Sequence, residues 1–281
     1  MSPGAHGRGT PPLELPDGNA IPQVGFGVFQ IPPDETADAV AHALRTGYRA
    51  VDTAAAYGNE AEVGQAVTAG GPGDEDVFVT TKLWNSDHGR DRARRAFEAS
   101  LDRLGLGRID LYLIHWPVPG RDRYVETWEA LCELRAEGRV RSIGVSNFEI
   151  DHLERIIDAT GVVPAVNQVE LHPRFQQGEL RRFHAEHGIV TEAWSPLAQA
   201  EVLDDPGVVE LASAHDRTPA QVVLRWHLQL GNVVIPKSQT PDRIEENFDI
   251  FEFALDDDAM RSLEGLDAGE RIGPDPATFA G

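Results

Sequence analysis

Three side chains that together suit proton transfer follow two neighbouring apolar segments. Asp52 ends "RAVD", Tyr57 follows in "TAAAYGNE", and Lys82 ends "VFVTTK". A tyrosine ordinarily has a pKa of about 10, too high for an efficient acid at neutral pH. An ammonium about 4 Å away contributes at most about 4 kcal/mol at an effective dielectric constant of 20, which lowers that pKa by up to roughly 3 units, less what Asp52 offsets. The pattern predicts that Lys82 makes Tyr57 a general acid at neutral pH.

The choice of lysine supports this interpretation. Lys82 and Lys237 are the only lysines among 25 basic residues, and a compact ammonium bonds a phenol end-on better than a planar guanidinium does. The alternative is a purely structural ion pair between Lys82 and Asp52. His115 ends the apolar run "DLYLIH" and is predicted to hold a carbonyl group or to assist the proton transfer, the alternative being a structural histidine.

The second lysine belongs to a predicted anion site in "VIPKSQTPDRIEEN". Thr240 reads as a helix N-cap and is followed by proline, and the free amides and dipole of a helix start attract anions. Lys237, Ser238 and Arg243 surround this start. In a chain of net charge −21, such a local positive cluster suits one phosphate monoester. An ordinary solvated helix start is the alternative.

The elements that position these residues alternate regularly. Strands are predicted at 24–28, 49–53, 77–83, 109–115, 140–145, 165–170, 189–194 and 232–235. Helices are predicted at 35–46, 59–69, 90–104, 123–137, 149–159, 177–187, 218–230 and 241–248. Eight such units predict an α/β fold, a single (β/α)8 TIM barrel, whose reactive face lies at the carboxyl ends of the strands. A doubly wound open sheet is the alternative, but "GFGVFQ" lacks the third glycine of a dinucleotide fingerprint.

The ends of the chain carry further expectations. The turn signal in "LPDGNA" predicts an N-terminal β-hairpin ahead of the barrel. Residues 1–11 are expected to form a disordered tail, and residues 12–281 a single domain.

Composition narrows the class of partner. The acidic net charge argues against nucleic acid or an anionic membrane as partner. No apolar run of about 18 residues or signal-peptide core is present, so a cytoplasmic protein is expected. The single cysteine, Cys132, excludes an internal disulfide. No exposed apolar stripe is evident, so a monomer is expected. The paired histidines of barrel metallohydrolases are missing at the first strand, so no metal is expected.

Seven stretches together are similar to the aldo-keto reductase family, from about residue 13 to the end. They are "DTAAAYGNE", "FVTTKLW", "LYLIHWP", "GVSNF", "VNQVELHP", "WSPLA" and "VIPKSQTPDRIEEN". The resemblance implies NADPH/NADP+ as cofactor and reduction of an aldehyde or ketone to an alcohol. It implies Tyr57 as proton donor, Lys82 and Asp52 as its tuning pair, and His115 as the group that orients the carbonyl.

The resemblance also implies roles for residues around the cofactor and substrate. The side chains of Asn147 and Gln168 suit an amide, and the Trp194 indole suits a flat ring. The family implies that Ser146, Asn147 and Gln168 hold the carboxamide and that Trp194 stacks on the nicotinamide. It assigns Ser195 and Leu197 to the pyrophosphate, Lys237, Ser238 and Arg243 to the 2′-phosphate, Glu246 and Asn247 to the adenine, and Phe29, Trp84 and Trp116 to the substrate pocket.

Several features resemble the bacterial 2,5-diketo-D-gluconate reductase subgroup. Many relatives carry tyrosine where Trp194 stands and tryptophan where Phe29 stands. The loop "AQAEVLDDPG" and the tail "RIGPDPATFAG" are short, which suggests an open pocket for a small keto compound. The alternatives are a non-catalytic NADPH-binding regulatory or structural member of the same fold and, more distantly, a metal-dependent barrel hydrolase.

Overall fold

The computed structural model describes residues 12–69 and 77–281, so the predicted tail at 1–11 lies outside the described residues. The chain begins with a hairpin in which β1 (Leu13–Glu14) pairs antiparallel with β2 (Ala20–Ile21). Gly18 turns the chain with a φ of 84°, in the left-handed region that glycine adopts without strain. The predicted hairpin is confirmed.

Eight parallel strands follow in sequential order. They are β3 (Phe26–Gly27), β4 (Ala50–Asp52), β5 (Phe78–Leu83), β6 (Ile109–Ile114), β7 (Val140–Ser146), β8 (Val166–Glu170), β9 (Val190–Trp194) and β10 (Val233–Val234). The last strand meets the first, because the Gly25 amide donates to the Val234 carbonyl at 2.8 Å and the Gly27 amide to the Pro236 carbonyl at 3.2 Å. A Cβ on Gly27 would lie 2.7 Å from the Ile235 carbonyl oxygen, so this close approach requires glycine. The predicted barrel is confirmed.

Ten α-helices occur in the described part of the chain. They are α1 (Pro33–Thr46), α2 (Glu60–Thr68), α3 (Arg90–Leu104), α4 (Tyr124–Ala136), α5 (Ile150–Thr160), α6 (Gly178–His187), α7 (Pro206–Ala214), α8 (Pro219–Gln229), α9 (Pro241–Phe248) and α10 (Asp257–Glu264). All eight predicted helices are present, whereas α7 and α10 were not predicted. Both begin with a capping aspartate: Asp205 accepts from the Gly207 amide and Asp256 from the Ala259 amide. Within residues 12–69 and 77–281, no helix combines the length and the apolar character needed to cross a membrane.

The N-terminal hairpin packs against one end of the barrel. Leu15 and Ile21 are buried in one apolar cluster with inward residues of the barrel strands, including Leu111 and Leu113. The hairpin therefore covers the end at which the strands begin. The end at which the strands finish carries the polar side chains predicted to do chemistry.

The packing of α2 on α3 leads to a stability prediction. A Cβ on Gly64 would lie 1.7 Å from the Leu104 carbonyl oxygen. Alanine favours a helix by about 1 kcal/mol over glycine, but forcing a methyl group against packed backbone costs more. We expect Gly64→Ala to lower the free energy of unfolding by about 2 kcal/mol or more in urea titrations. Gly107→Ala, where nothing lies within 4 Å, is the control, and equal losses in both variants would contradict this packing.

Candidate active site

A buried ion pair between Lys82 and Asp52 lies at the open end of the barrel. Lys82 comes from β5 and is fully buried. Its Nζ lies 2.6 Å from Asp52 Oδ1, 2.9 Å from the Thr53 carbonyl oxygen and 3.5 Å from the Tyr57 hydroxyl. These three partners match the three hydrogens of an ammonium group. Burial works against the charged form, but Asp52 and Tyr57 together raise the pKa of Lys82 above its ordinary value of 10.5, so Lys82 stays charged.

Tyr57 lies half-buried directly after β4, in a short 3-10 turn. Burial raises the pKa of its phenol above the ordinary value of 10.0, and Lys82 lowers it by a smaller amount. The sequence-based expectation of a net lowered pKa is therefore wrong, because a calculation with one charge pair leaves out the cost of desolvating a phenolate. Tyr57 is protonated at neutral pH, and Lys82 reduces the cost of releasing that proton.

His115 follows β6 and is buried beside Tyr57. Its ring centroid lies 5.7 Å from that of Tyr57 and 5.1 Å from that of Trp84. Burial, and to a smaller extent the charge of Lys82, holds the pKa of His115 well below its ordinary value of 6.5. The imidazole is neutral at pH 7, and a neutral imidazole carries one N–H that can donate to a carbonyl oxygen.

The residues predicted to hold an amide lie on neighbouring strands: Ser146 ends β7, Asn147 follows it, and Gln168 pairs with Ser146 from the middle of β8. Ser146 Oγ donates to the backbone carbonyl of Gln168 at 2.8 Å, and Asn147 Nδ2 donates to the backbone carbonyl of His115 at 2.9 Å. Trp194 Nε1 donates to Asn147 Oδ1 at 2.8 Å, so one edge of the indole is fixed. Asn147 adopts a left-handed φ of 62°, an uncommon conformation that often marks functional positions.

Ser195 and Leu197 continue from Trp194 into a tight turn. Both are half-buried, and Ser195 also has a left-handed φ, of 47°. The Ala198 amide donates to the Ser195 carbonyl at 2.9 Å. The backbone therefore bends sharply beside the indole, at the rim of the barrel.

The predicted anion site lies at the start of α9. Thr240 occupies the N-cap position as predicted, but its side chain makes no capping hydrogen bond. Instead, the Thr240 amide donates to Ser238 Oγ at 3.1 Å. Lys237 is exposed, with Nζ 3.3 Å from Gln239 Oε1. An exposed cation therefore precedes the helix start, while Ser238 is largely buried and bonded to the Thr240 backbone.

Three further predicted residues lie on α9 itself. Arg243 is exposed in the first turn, and Asn247 is buried. Glu246 Oε1 accepts a hydrogen bond from Thr218 Oγ1 at 2.6 Å, which ties α9 to the capping residue of α8. Glu246 is half-buried, and this bond orients its carboxylate.

The predicted substrate residues follow β3, β5 and β6 at the open end of the barrel, and Phe29 lies against the phenol. Phe29 is 54% exposed and its ring lies 5.0 Å from that of Tyr57. Trp84 is half-buried on the His115 side, and Trp116 packs against Phe279 with ring centroids 4.5 Å apart. The C-terminal tail therefore contributes an aromatic ring that the sequence analysis did not predict.

The tail is fixed by a second buried acid that was not predicted. Glu170 is fully buried and accepts hydrogen bonds from the Ile272 amide at 2.6 Å and the Gly273 amide at 2.8 Å. Burial opposes its ionisation, but His172 and these amides together lower the pKa of Glu170. A Cβ on Gly273 would lie 2.4 Å from Trp194 Cη2, so the tail also packs directly on the indole.

The fold and the site together define a (β/α)8-barrel protein with a buried Asp–Lys–Tyr cluster at its open end. The chain belongs to the aldo/keto reductase family, since residues 23–268 match the family described as "Aldo/keto reductase family". The chain is 57% identical to an aldo-keto reductase of Mycobacterium sp. (strain KMS), over 96% of this chain and 98% of that protein.

Two other relatives have informative descriptions. The methylglyoxal reductase DkgA of Escherichia coli (strain K12) is 52% identical over 96% of this chain and 98% of its own length. The crystal structure of a Gox0644 mutant in complex with NADPH is similar with a TM-score of 0.93 and 53% identity, over 96% of this chain and 98% of that one.

Proposed function

We propose that this protein reduces an aldehyde or ketone to an alcohol with NADPH as the hydride source. The observation that carries the proposal is the contact of the buried Lys82 ammonium with both Asp52 and the Tyr57 hydroxyl at the open end of the barrel. A pure binding module would not need a charge held beside a protonated phenol. The NADPH complex of the similar Gox0644 mutant and the shared family support the same conclusion.

The residues fit this cofactor. In the described part of the chain, the Gln168 carbonyl oxygen Oε1 accepts no hydrogen bond, so it is available to a carboxamide N–H. Ser146 and Asn147 lie beside Gln168. The hydrogen bond to Asn147 holds the Trp194 indole in place for stacking. Lys237 provides an exposed cation near α9, where a 2′-phosphate would distinguish NADPH from NADH.

Further residues along the rim of the barrel are proposed to bind the rest of the cofactor. We assign Ser195 and Leu197 to the pyrophosphate, Ser238 and Arg243 to the 2′-phosphate together with Lys237, and Glu246 and Asn247 to the adenine. When bound, NADPH supplies a hydride to the carbonyl carbon.

The protein supplies the proton. As the carbonyl oxygen gains negative charge, the Tyr57 hydroxyl donates its proton to it, and the O–H bond of the new alcohol forms. The phenolate that results lies 3.5 Å from Lys82 Nζ, which stabilises it. Asp52 keeps the ammonium oriented, and the neutral His115 donates a hydrogen bond that holds the carbonyl oxygen.

The substrate is proposed to be a small carbonyl compound with a polar substituent. Phe29 is 54% exposed, and the open pocket expected from the short loops suits a 2-oxoaldehyde such as methylglyoxal, the compound in the description of DkgA, or 2,5-diketo-D-gluconate. Trp84, Trp116 and the tail residue Phe279 would line the pocket. We propose that residues 12–281 act as one domain, as a cytoplasmic monomer.

The fall in NADPH absorbance after methylglyoxal is added tests this proposal. We expect the wild-type protein to oxidise NADPH only when the carbonyl compound is present, and to release one alcohol per NADPH consumed. The non-catalytic alternative predicts NADPH binding, seen as quenching of tryptophan fluorescence, without turnover on any aldehyde or ketone of a broad panel. Unchanged activity after chelator treatment is expected, and inactivation by the chelator would support a metal-dependent hydrolase instead.

A further inference from the structure

The interior of the barrel holds an acid that the proposed reaction does not use. Glu192 lies in the middle of β9 and is 2% exposed. Its Oε2 accepts a hydrogen bond from Gln168 Nε2 at 3.0 Å, and the same Nε2 donates to Asp52 Oδ2 at 2.8 Å. Since β4 and β8 are not neighbours in the barrel, the second bond crosses its interior.

These two bonds fix the orientation of the Gln168 amide. Its NH2 group has two hydrogens, and Glu192 and Asp52 take one each. A carboxylate only accepts hydrogen bonds, so the nitrogen of the amide must face Asp52, and the carbonyl oxygen must face away. With Asp52 as the sole partner, one N–H of Gln168 would remain available to a ligand.

We propose that Glu192 is a positioning residue for the nicotinamide: by occupying the second N–H of Gln168, it leaves only the Gln168 carbonyl oxygen to meet the cofactor. That oxygen accepts from the carboxamide NH2, which sets which way the carboxamide points and therefore how the ring lies beside Trp194. This inference rests on the proposed function. Glu192 itself does not touch the cofactor, and it acts through Gln168.

The charges around Glu192 suit this role. Among the described residues, the titratable groups that face it are Asp52 from β4, Tyr57 after β4 and Lys82 from β5, and the neutral Gln168 faces it from β8. Burial, followed by the nearby Asp52 charge, raises the pKa of Glu192 to about 8, against the opposing effects of Gln168 and Lys82. At neutral pH Glu192 therefore adds no negative charge beside Lys82 and Asp52.

The protonation of Glu192 has a consequence for stability. The native protein keeps a proton that the unfolded chain releases near the ordinary pKa of 4.5. The native state therefore binds more protons than the unfolded state, and this contribution to stability falls as pH rises from about 4.5 to about 8. A glutamine at this position accepts the same hydrogen bond and does not ionise.

A comparison of two cofactors tests the orientation. The probes are NADPH and its 3-acetylpyridine analogue, which has a carbonyl but no NH2 to donate. We expect wild-type protein to bind NADPH about tenfold more tightly than the analogue, as one missing hydrogen bond implies. Glu192→Gln should keep this ratio. Glu192→Leu frees one N–H of Gln168 and should bring the ratio close to one.

The control variant is Glu60→Gln. Glu60 is also 2% exposed, but it bonds Thr81 and Arg103 away from the interior cluster. It should leave the cofactor ratio unchanged even where it lowers stability. If Glu192→Leu weakened both cofactors equally, the role of Glu192 would be merely structural and the proposal would be overturned.

Stability measured without any cofactor keeps this test separate from the proposed function. We expect the stability of wild-type protein to fall relative to Glu192→Gln as pH rises from about 5 to about 8, in urea titrations at each pH. Parallel curves would overturn the charge assignment of Glu192. A wild-type protein that shows this difference but neither binds nor oxidises NADPH would contradict the proposed function and, with it, the nicotinamide role, while leaving the buried cluster intact.

Discussion

Replacing Tyr57 by phenylalanine is expected to lower kcat by about 10²- to 10⁴-fold, the usual contribution of a positioned general acid. The variant loses only the hydroxyl, and its ring keeps the contact with Phe29 at 5.0 Å. Lys82 stays bonded to Asp52 and to the Thr53 carbonyl, and Glu192 to Gln168, so we expect neither side chain to take the place of the phenol. Because the hydroxyl does not contact the regions assigned to the cofactor, NADPH affinity should stay within about twofold of wild type.

The measurement is steady-state turnover with methylglyoxal, together with the dissociation constant for NADPH from fluorescence quenching. Tyr124→Phe is the matched control, because the Tyr124 hydroxyl bonds Arg155 on the outer helices and should not affect kcat. Near-normal turnover in Tyr57→Phe would remove Tyr57 from the role of proton donor, whatever its distance from Lys82.

The second large effect concerns the choice of cofactor. We expect Lys237→Gly combined with Arg243→His to weaken NADPH binding by about 10²-fold or more, since each hydrogen bond to a charged group contributes about 1.5–3 kcal/mol. NADH lacks the 2′-phosphate, so its affinity should change little. Both side chains are exposed, so added salt should reduce the difference.

Dissociation constants for both cofactors, measured at low and at moderate ionic strength, check this expectation. Arg182→His is the control, because Arg182 is an exposed arginine on α6, distant in sequence from the predicted phosphate site. A similar loss of affinity for NADPH and NADH in the double variant would show that the phosphate binds elsewhere.

Much of the barrel was predictable because its signals are local. The alternation of apolar strands and amphipathic helices, with prolines and glycines between them, predicted all eight strands and eight helices. The rule that parallel strands present their carboxyl ends on one face then brought Asp52, Lys82 and His115 together without any coordinates. The contact of Lys82 with both Asp52 and Tyr57 agrees with this placement.

Other features of the site depend on contacts between distant parts of the chain. Glu170 contacts the tail about 100 residues later, at Ile272 and Gly273, and nothing local indicates that pairing. Glu192 stands in "VTEAW", where a period of two places it on the same side of the strand as Trp194. That alternation was the available signal for an inward-facing acid.

The pKa of Tyr57 shows a different limit. The sequence supplied the attractive charge of Lys82 but not the burial of the phenol, and burial has the larger effect. Desolvation depends on every atom packed around a group, so it becomes calculable only when the fold is known.

The proposed reaction is tested most directly by tracing the hydride. The wild-type protein would be incubated with methylglyoxal and NADPH that carries deuterium at both C4 positions of the nicotinamide, and the alcohol analysed by mass spectrometry and NMR. We expect one deuterium on whichever carbonyl carbon of methylglyoxal was reduced to the alcohol. One NADP+ should form per alcohol, and the hydroxyl oxygen should carry no label. An alcohol without deuterium on that carbon, or a cofactor that stays reduced across the carbonyl panel, would contradict hydride transfer by this protein.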